Sequence, residues 1–132
     1  MPFLLLNSGD SSTNSMTFNQ LESSSAISSP TETIEVESVT LDGFCTERQL
    51  KPSFIKIDVE GAEFQVLKGS ERILREARPT IVVALHPPWM PKGTSPKQLW
   101  EMLSSAGYEV KTIDGRPADD NAFAEYLCLP RS

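Results

Sequence analysis

FIKIDVEGAEFQVLKG, residues 54–69, begins as a strand and ends as a helix. Ile55 and Ile57 alternate with Lys56, the two-residue period of an extended chain. Gly61 then breaks the run, and AEFQVL reads as a short helix closed by Gly69. Three carboxylates, Asp58, Glu60 and Glu63, crowd the junction. A carboxylate ending a buried strand must find donors or face a pocket, so Asp58 reads as a functional residue. Glu60 and Glu63 have a second account, because the first turn of a helix favours negative charge. For Glu63 both accounts stand. Gly61 lets the backbone turn closely between strand and helix.

Downstream the alternation continues. Ser70 is placed to cap a second helix, ERILREA, whose Ile73, Leu74 and Ala77 form an apolar face that Pro79 ends. TIVVAL, residues 80–85, is a continuous apolar strand of the kind buried on both faces. HPPWMPKGT is a loop, since its prolines remove backbone donors. Ser95, Pro96 and Gln98 mark a helix start with a capping box. Leu99, Trp100, Leu103 and Ala106 make that helix's apolar stripe, and Gly107 its stop. YEVKTI and EYLCLP follow as strands joined without a helix, which predicts an antiparallel pair at the end of the sheet. Strands alternating with helices predict an α/β fold with right-handed crossovers.

Upstream, TIEVESVTLDGF (residues 33–44) alternates Ile34 and Val36, then Val39 and Leu41, which predicts an irregular half-exposed strand. Before it, NSGDSSTNSMTFNQLESSSAISSP is rich in Ser, Asn and Thr and poor in bulky apolar residues. Such a stretch cannot bury enough surface to offset its ordering entropy. The expected division is therefore a Ser-rich loop or partly disordered segment over 1–33 and one folded unit over 34–132.

The 132 residues suit a single domain, and the net charge of −6 argues against nucleic acid or an anionic membrane surface as partner. MPFLLL is too short and lacks the basic flank of a signal peptide or span, so a cytoplasmic location is expected. Cys45 and Cys128 lack metal spacing and the density of a disulfide scaffold, which predicts reduced thiols.

Ligands of open α/β sheets bind beyond the carboxyl ends of the strands. Asp58, Glu60 and Glu63 lie at one such end and His86 at another, so neighbouring strands would gather them in one crevice with the HPPWMPKG loop. His86 alone has an ordinary structural reading. Trp89 reads as a lid or as core cover, Trp100 as core, and Lys56 as a solvated edge residue or an ion partner of Glu63.

Taken together, TLDGF, then FIKIDVEGAEFQVLKGSERIL, then TIVVALHP resemble the FkbM-type S-adenosylmethionine-dependent methyltransferases. The likeness spans roughly residues 34–129, and NSGDSSTNSM also looks like a serine-rich segment of such proteins. It implies part of a Rossmann-like class I methyltransferase sheet, with FIKIDV, TIVVAL, YEVKTI and EYLCLP as its fourth to seventh strands, the last antiparallel. It also implies S-adenosylmethionine as cofactor and a small-molecule acceptor, a hydroxyl of a sugar or natural product. Asp58 and Glu60 would line the methyl-transfer crevice, with Glu63 behind them and His86 opposite.

The sequence departs from that pattern at Ala84, where the family carries a glutamate two residues before the histidine. It also shows no glycine-rich turn for the cofactor and no acidic strand end for the ribose, parts that belong to the first half of such folds. The expectation is a C-terminal half lacking roughly 90 upstream residues, with self-association or a complementing N-terminal half as its partner. The alternatives are a non-catalytic remnant acting as a binding or interaction module, and a Mg²⁺ site on Asp58, Glu60 and Glu63 in a hydrolase.

Overall fold

The computed structural model describes residues 2–6 and 31–35 as backbone strands, and residues 37–118 and 124–132 in full. Strands β1 (Pro2–Leu6) and β2 (Thr31–Glu35) pair antiparallel as a two-stranded sheet. Most of the Ser-rich stretch, residues 7–30, lies outside the described residues.

The strand predicted through Leu41 ends at Glu35, and residues Leu41–Glu47 form helix α1 instead. Thr40 starts it, its hydroxyl accepting the Gly43 N–H at 3.0 Å. Asp42 then serves a different helix. Its carboxylate accepts the backbone N–H groups of Arg72 at 2.9 Å and Ile73 at 3.0 Å. Those are early, unpaired amides of helix α3 (Glu71–Glu76), which follows α2 (Glu63–Lys68). The expected Ser70 cap is not made. The Ser70 hydroxyl donates back to the Val66 carbonyl at 2.6 Å, and Asp42 takes over the capping from 30 residues upstream.

Four strands form the main sheet: β3 (Phe54–Ile57), β4 (Thr80–Ala84), β5 (Tyr108–Thr112) and β6 (Glu125–Pro130). Their spatial order is β3-β4-β6-β5, with β3 and β4 parallel and β6 antiparallel to both neighbours. The predicted antiparallel pairing of the last two strands is present, and β6 enters between β4 and β5. Helix α4 (Pro96–Ser105) bridges β4 and β5. Its capping box forms, with Gln98 Oε1 accepting the Ser95 N–H at 2.8 Å, and Gly107 follows its end at φ 81°.

The core lies on one side of this sheet. Ile57, Ile81, Val83, Tyr108, Tyr126 and Cys128 point into it and meet Leu67, Leu74, Leu99 and Leu103 from α2, α3 and α4. Each of those leucines is essentially unexposed, worth about 1.5–3 kcal/mol of burial. The other face alternates outward: Phe54, Lys56, Glu109 and Glu125 are exposed and Val82, Leu127 and Leu129 half-buried. On β4 itself no residue is exposed: Thr80 and Val82 on that face are half-buried and Ala84 is buried. Right-handed crossovers that all advance in one direction across a sheet put every helix on one side, and here the advance is β3 to β4 to β5. Cys45 and Cys128 are free and buried. Among the described residues no helix is long and apolar enough to cross a membrane.

Candidate functional site

The parallel pairing of β3 with β4 brings their carboxyl ends side by side, so Asp58 and Glu63 meet His86, while Glu60 lies between them in the chain. Glu63 opens α2, yet its side chain turns inward and is unexposed. Its Oε1 accepts the Gly61 N–H at 3.0 Å and lies 2.7 Å from His86 Nδ1. Both accounts of Glu63 thus meet in one residue, which starts a helix and also holds the histidine. Its Oε2 has no hydrogen-bond partner among the described residues, at a cost of about 1–3 kcal/mol.

An ionised carboxylate only accepts, so Glu63 requires the proton of a neutral His86 ring to sit on Nδ1. Nε2 then keeps its lone pair. It faces Asp58 Oδ1 at 3.6 Å, ion-pair range but beyond a direct hydrogen bond. His86 itself is only 6% exposed, whereas the Asp58 side chain is 49% exposed. The imidazole is bracketed by a buried carboxylate behind and a solvated one in front.

A loop holds the ring from the side. Residues Pro87–Trp89 form a 3-10 turn, with Trp89 N–H donating to the His86 carbonyl at 3.0 Å. The Trp89 indole stacks on the imidazole at 5.2 Å with 13° between planes. Neither reading of Trp89 as lid or core cover anticipates this contact, although its position three residues after His86 is a usable signal. Beneath it Gly61 adopts φ 107°, and a Cβ there would stand 2.2 Å from the Trp89 carbonyl oxygen. Glycine is obligatory for this approach. Glu60 also lies in the left-handed region, at φ 51°, a strained setting of the kind found beside functional sites.

Lys56 does not reach Glu63. Its ammonium lies 3.9 Å from Asp58 and 3.5 Å from Glu125, all three half-exposed. Glu125, which no local pattern marks, is the cross-strand partner of Ala84, so β6 sets a carboxylate beside the position where the resemblance leads one to expect a glutamate. Trp100 joins the core as predicted, its ring 4.7 Å from that of Tyr126. Among the described residues no group of three or more His, Cys, Asp or Glu side chains is arranged to hold a metal ion.

The described residues gather Asp58, Glu63 and His86 in one polar cluster at the carboxyl ends of β3 and β4. The open side of Gly61 is filled by the Trp89 carbonyl, and no glycine-rich strand-to-helix turn occurs among them. Comparison with curated proteins and with solved structures returns no match in either set. The family comparison does: residues 3–110 match the Methyltransferase FkbM domain, from a start well upstream of residue 34. The mixed four-stranded sheet is compatible with part of a methyltransferase fold. With most of its length inside that match, the chain belongs to the FkbM methyltransferase family.

Proposed function

We propose that this chain supplies the acceptor side of an S-adenosylmethionine-dependent O-methyltransferase acting on a hydroxyl of a small molecule such as a sugar or natural product. The observation that carries the reading is His86, held by Glu63 at 2.7 Å with its second nitrogen turned toward Asp58. The cofactor supplies an electrophilic sulfonium methyl group. Its binding turn comes, on this reading, from sequence outside the chain, which then corresponds to the fourth to seventh strands of the complete sheet.

A hydroxyl oxygen that takes a methyl group must lose its proton, and an aligned base assists as the oxygen attacks. On this reading His86 Nε2 takes that proton. The Asp58 carboxylate in front of it stabilises the imidazolium that forms, and Glu63 keeps the ring from rotating away. Glu60, at the rim of the crevice, contacts the acceptor. Removing a general base of this kind lowers turnover by about 10²–10⁴-fold.

The test is calorimetric titration with S-adenosylhomocysteine, on the chain alone and together with the translated sequence upstream of Met1. Methyl transfer to a panel of hydroxylated acceptors is followed in parallel, with wild type compared to His86→Ala. Binding by the combined form, with turnover lost in His86→Ala, is the expected result. No binding in either form would sink the enzyme reading in favour of a non-catalytic interaction module.

A further inference from the structure

A neutral imidazole carries one proton on its two nitrogens, and a carboxylate beside either nitrogen draws that proton to its own side. His86 has a carboxylate at each: Glu63 lies 2.7 Å from Nδ1 and Asp58 3.6 Å from Nε2. The two pull against each other. Glu63 is unexposed and Asp58 half-exposed, so distance and burial both favour the Nδ1–H form. Asp58 still competes unless its charge is engaged elsewhere. Its second oxygen, Oδ2, faces the Lys56 ammonium at 3.9 Å, so the two oxygens of one carboxylate serve different partners. Lys56 is itself held from across the sheet. It stands on β3 and Glu125 on β6, with β4 between them, so their 3.5 Å ion pair reaches over β4. Ala84, the cross-strand partner of Glu125, places only a methyl group in that path.

We propose that Lys56 is a positioning residue that fixes the tautomer of His86: by engaging Asp58 it keeps the ring proton on Nδ1 and leaves the Nε2 lone pair unprotonated. Glu125 anchors the ammonium from β6 and so keeps it within reach of Asp58. Because the Lys56–Asp58 pair is loose and half-exposed, Asp58 is released toward the imidazolium once Nε2 has taken a proton. This inference deepens the proposed function and rests on it for its catalytic meaning. The tautomer itself is a property of the chain and is read without turnover.

Nitrogen NMR of the neutral ring on the full chain tests it, since His86 is the only histidine. The wild type shows the Nδ1–H form. Lys56→Met raises the ratio of Nε2–H to Nδ1–H by about fivefold, the effect of one charge pair at about 4 Å under water-like screening. Lys56→Arg keeps the wild-type ratio, because the charge is retained. Lys56→Met/Asp58→Asn returns to it, because the competing carboxylate is gone. An unchanged ratio in Lys56→Met overturns the proposal. So does a shift that survives in the double variant, or one that appears equally in Lys56→Arg. Lys56→Gln repeats the test with a polar side chain, and far-UV circular dichroism confirms that each variant is folded. In the methyl-transfer assay Lys56→Met lowers kcat and leaves KM unchanged. A wild type without turnover counts against the proposed function, and the tautomer ratios still decide the role of Lys56.

Discussion

Replacing Gly61 by alanine tests whether the loop carrying Trp89 is tied mechanically to the histidine. At φ 107° the added methyl group meets a backbone penalty of about 1–2 kcal/mol. It also lands 2.2 Å from the Trp89 carbonyl oxygen and 2.6 Å from its carbon. Carbon contacts are comfortable only near 3.5–4.0 Å, so the loop must retreat by more than ~1 Å. That retreat lifts the indole off His86, losing a stacking contact of about 0.5–1.5 kcal/mol. It also disturbs the buried Gly61 N–H to Glu63 bond, worth another ~1 kcal/mol or more. The sum is on the order of 3–5 kcal/mol, a large part of the ~5–15 kcal/mol that holds a domain together.

Two glycines serve as controls. Gly93 and Gly115 have φ 86° and 87° with nothing within 4 Å of where an added methyl group would sit, so their alanine variants meet the backbone penalty alone. Urea denaturation is followed by tryptophan fluorescence in a Trp100→Phe background, which leaves Trp89 as the reporter among the two tryptophans. Gly93→Ala and Gly115→Ala are expected to lose about 1 kcal/mol and keep the native spectrum. Gly61→Ala loses at least twice that and shifts the Trp89 emission. Equal losses at all three positions would refute the close-approach argument.

Three further outcomes follow from the packing. Glu63→Ala strands the Gly61 amide and His86 Nδ1 in a buried site and costs about 3 kcal/mol; because His86 is the only histidine, nitrogen NMR reads its tautomer directly, and an unchanged Nδ1–H form in Glu63→Ala would contradict the positioning role. Asp42→Ala removes two amide acceptors from the start of α3 and costs about 1–2 kcal/mol, more than Ser70→Ala; the reverse order in thermal melts would show that Ser70 is the true cap. Burial pushes the Cys128 thiol from 9.0 up to about 12, and burial also raises Tyr108. Both groups fold in their protonated form, so the stability they contribute is complete below their unfolded pKa values and falls as pH rises. Cys128 loses about 1.4 kcal/mol per pH unit from about pH 9 toward 12, and Cys128→Ala flattens the first part of an alkaline denaturation curve.

How far the fold is legible in the sequence depends on how local its determinants are. The capping box at Ser95 and Gln98, the stop at Gly107 and the alternation of Ile55, Lys56 and Ile57 all act within a turn or a strand, and each is present as read. The start of α1 escapes such a reading because Val39 and Leu41 mimic a strand period, while Thr40 holds the helix through its hydroxyl. Asp42 capping α3 is a contact across 30 residues, invisible to any window. The apolar run of β4 says that the strand is buried, but not on which side the helices pack; that follows from the direction in which the chain crosses the sheet. In the cluster, the approach of Asp58 to His86 is legible because each follows the carboxyl end of one of two neighbouring strands. Spacing alone points Lys56 at the wrong carboxylate, because Glu125, its nearer partner, reaches it only through the insertion of β6 beside β4.

The carboxylates of the 54–69 stretch now separate by what surrounds them. Glu63 is the one a stability argument would least retain. A fully buried carboxylate with an unpartnered oxygen is costly, and an apolar residue of similar volume would hold α2 against the core more cheaply. What that cost secures is a histidine with one tautomer, one orientation and a lone pair aimed at solvent-accessible Asp58. Asp58 and Lys56 are the opposite case: half-exposed, loosely paired and free to exchange partners. On the proposed function, a site that takes a proton from a hydroxyl would use both, a base that cannot move and a front carboxylate that can. Placing Glu63 in the first turn of a helix and Asp58 at the end of a strand, with Gly61 between them beneath Trp89, achieves that division within six residues of sequence.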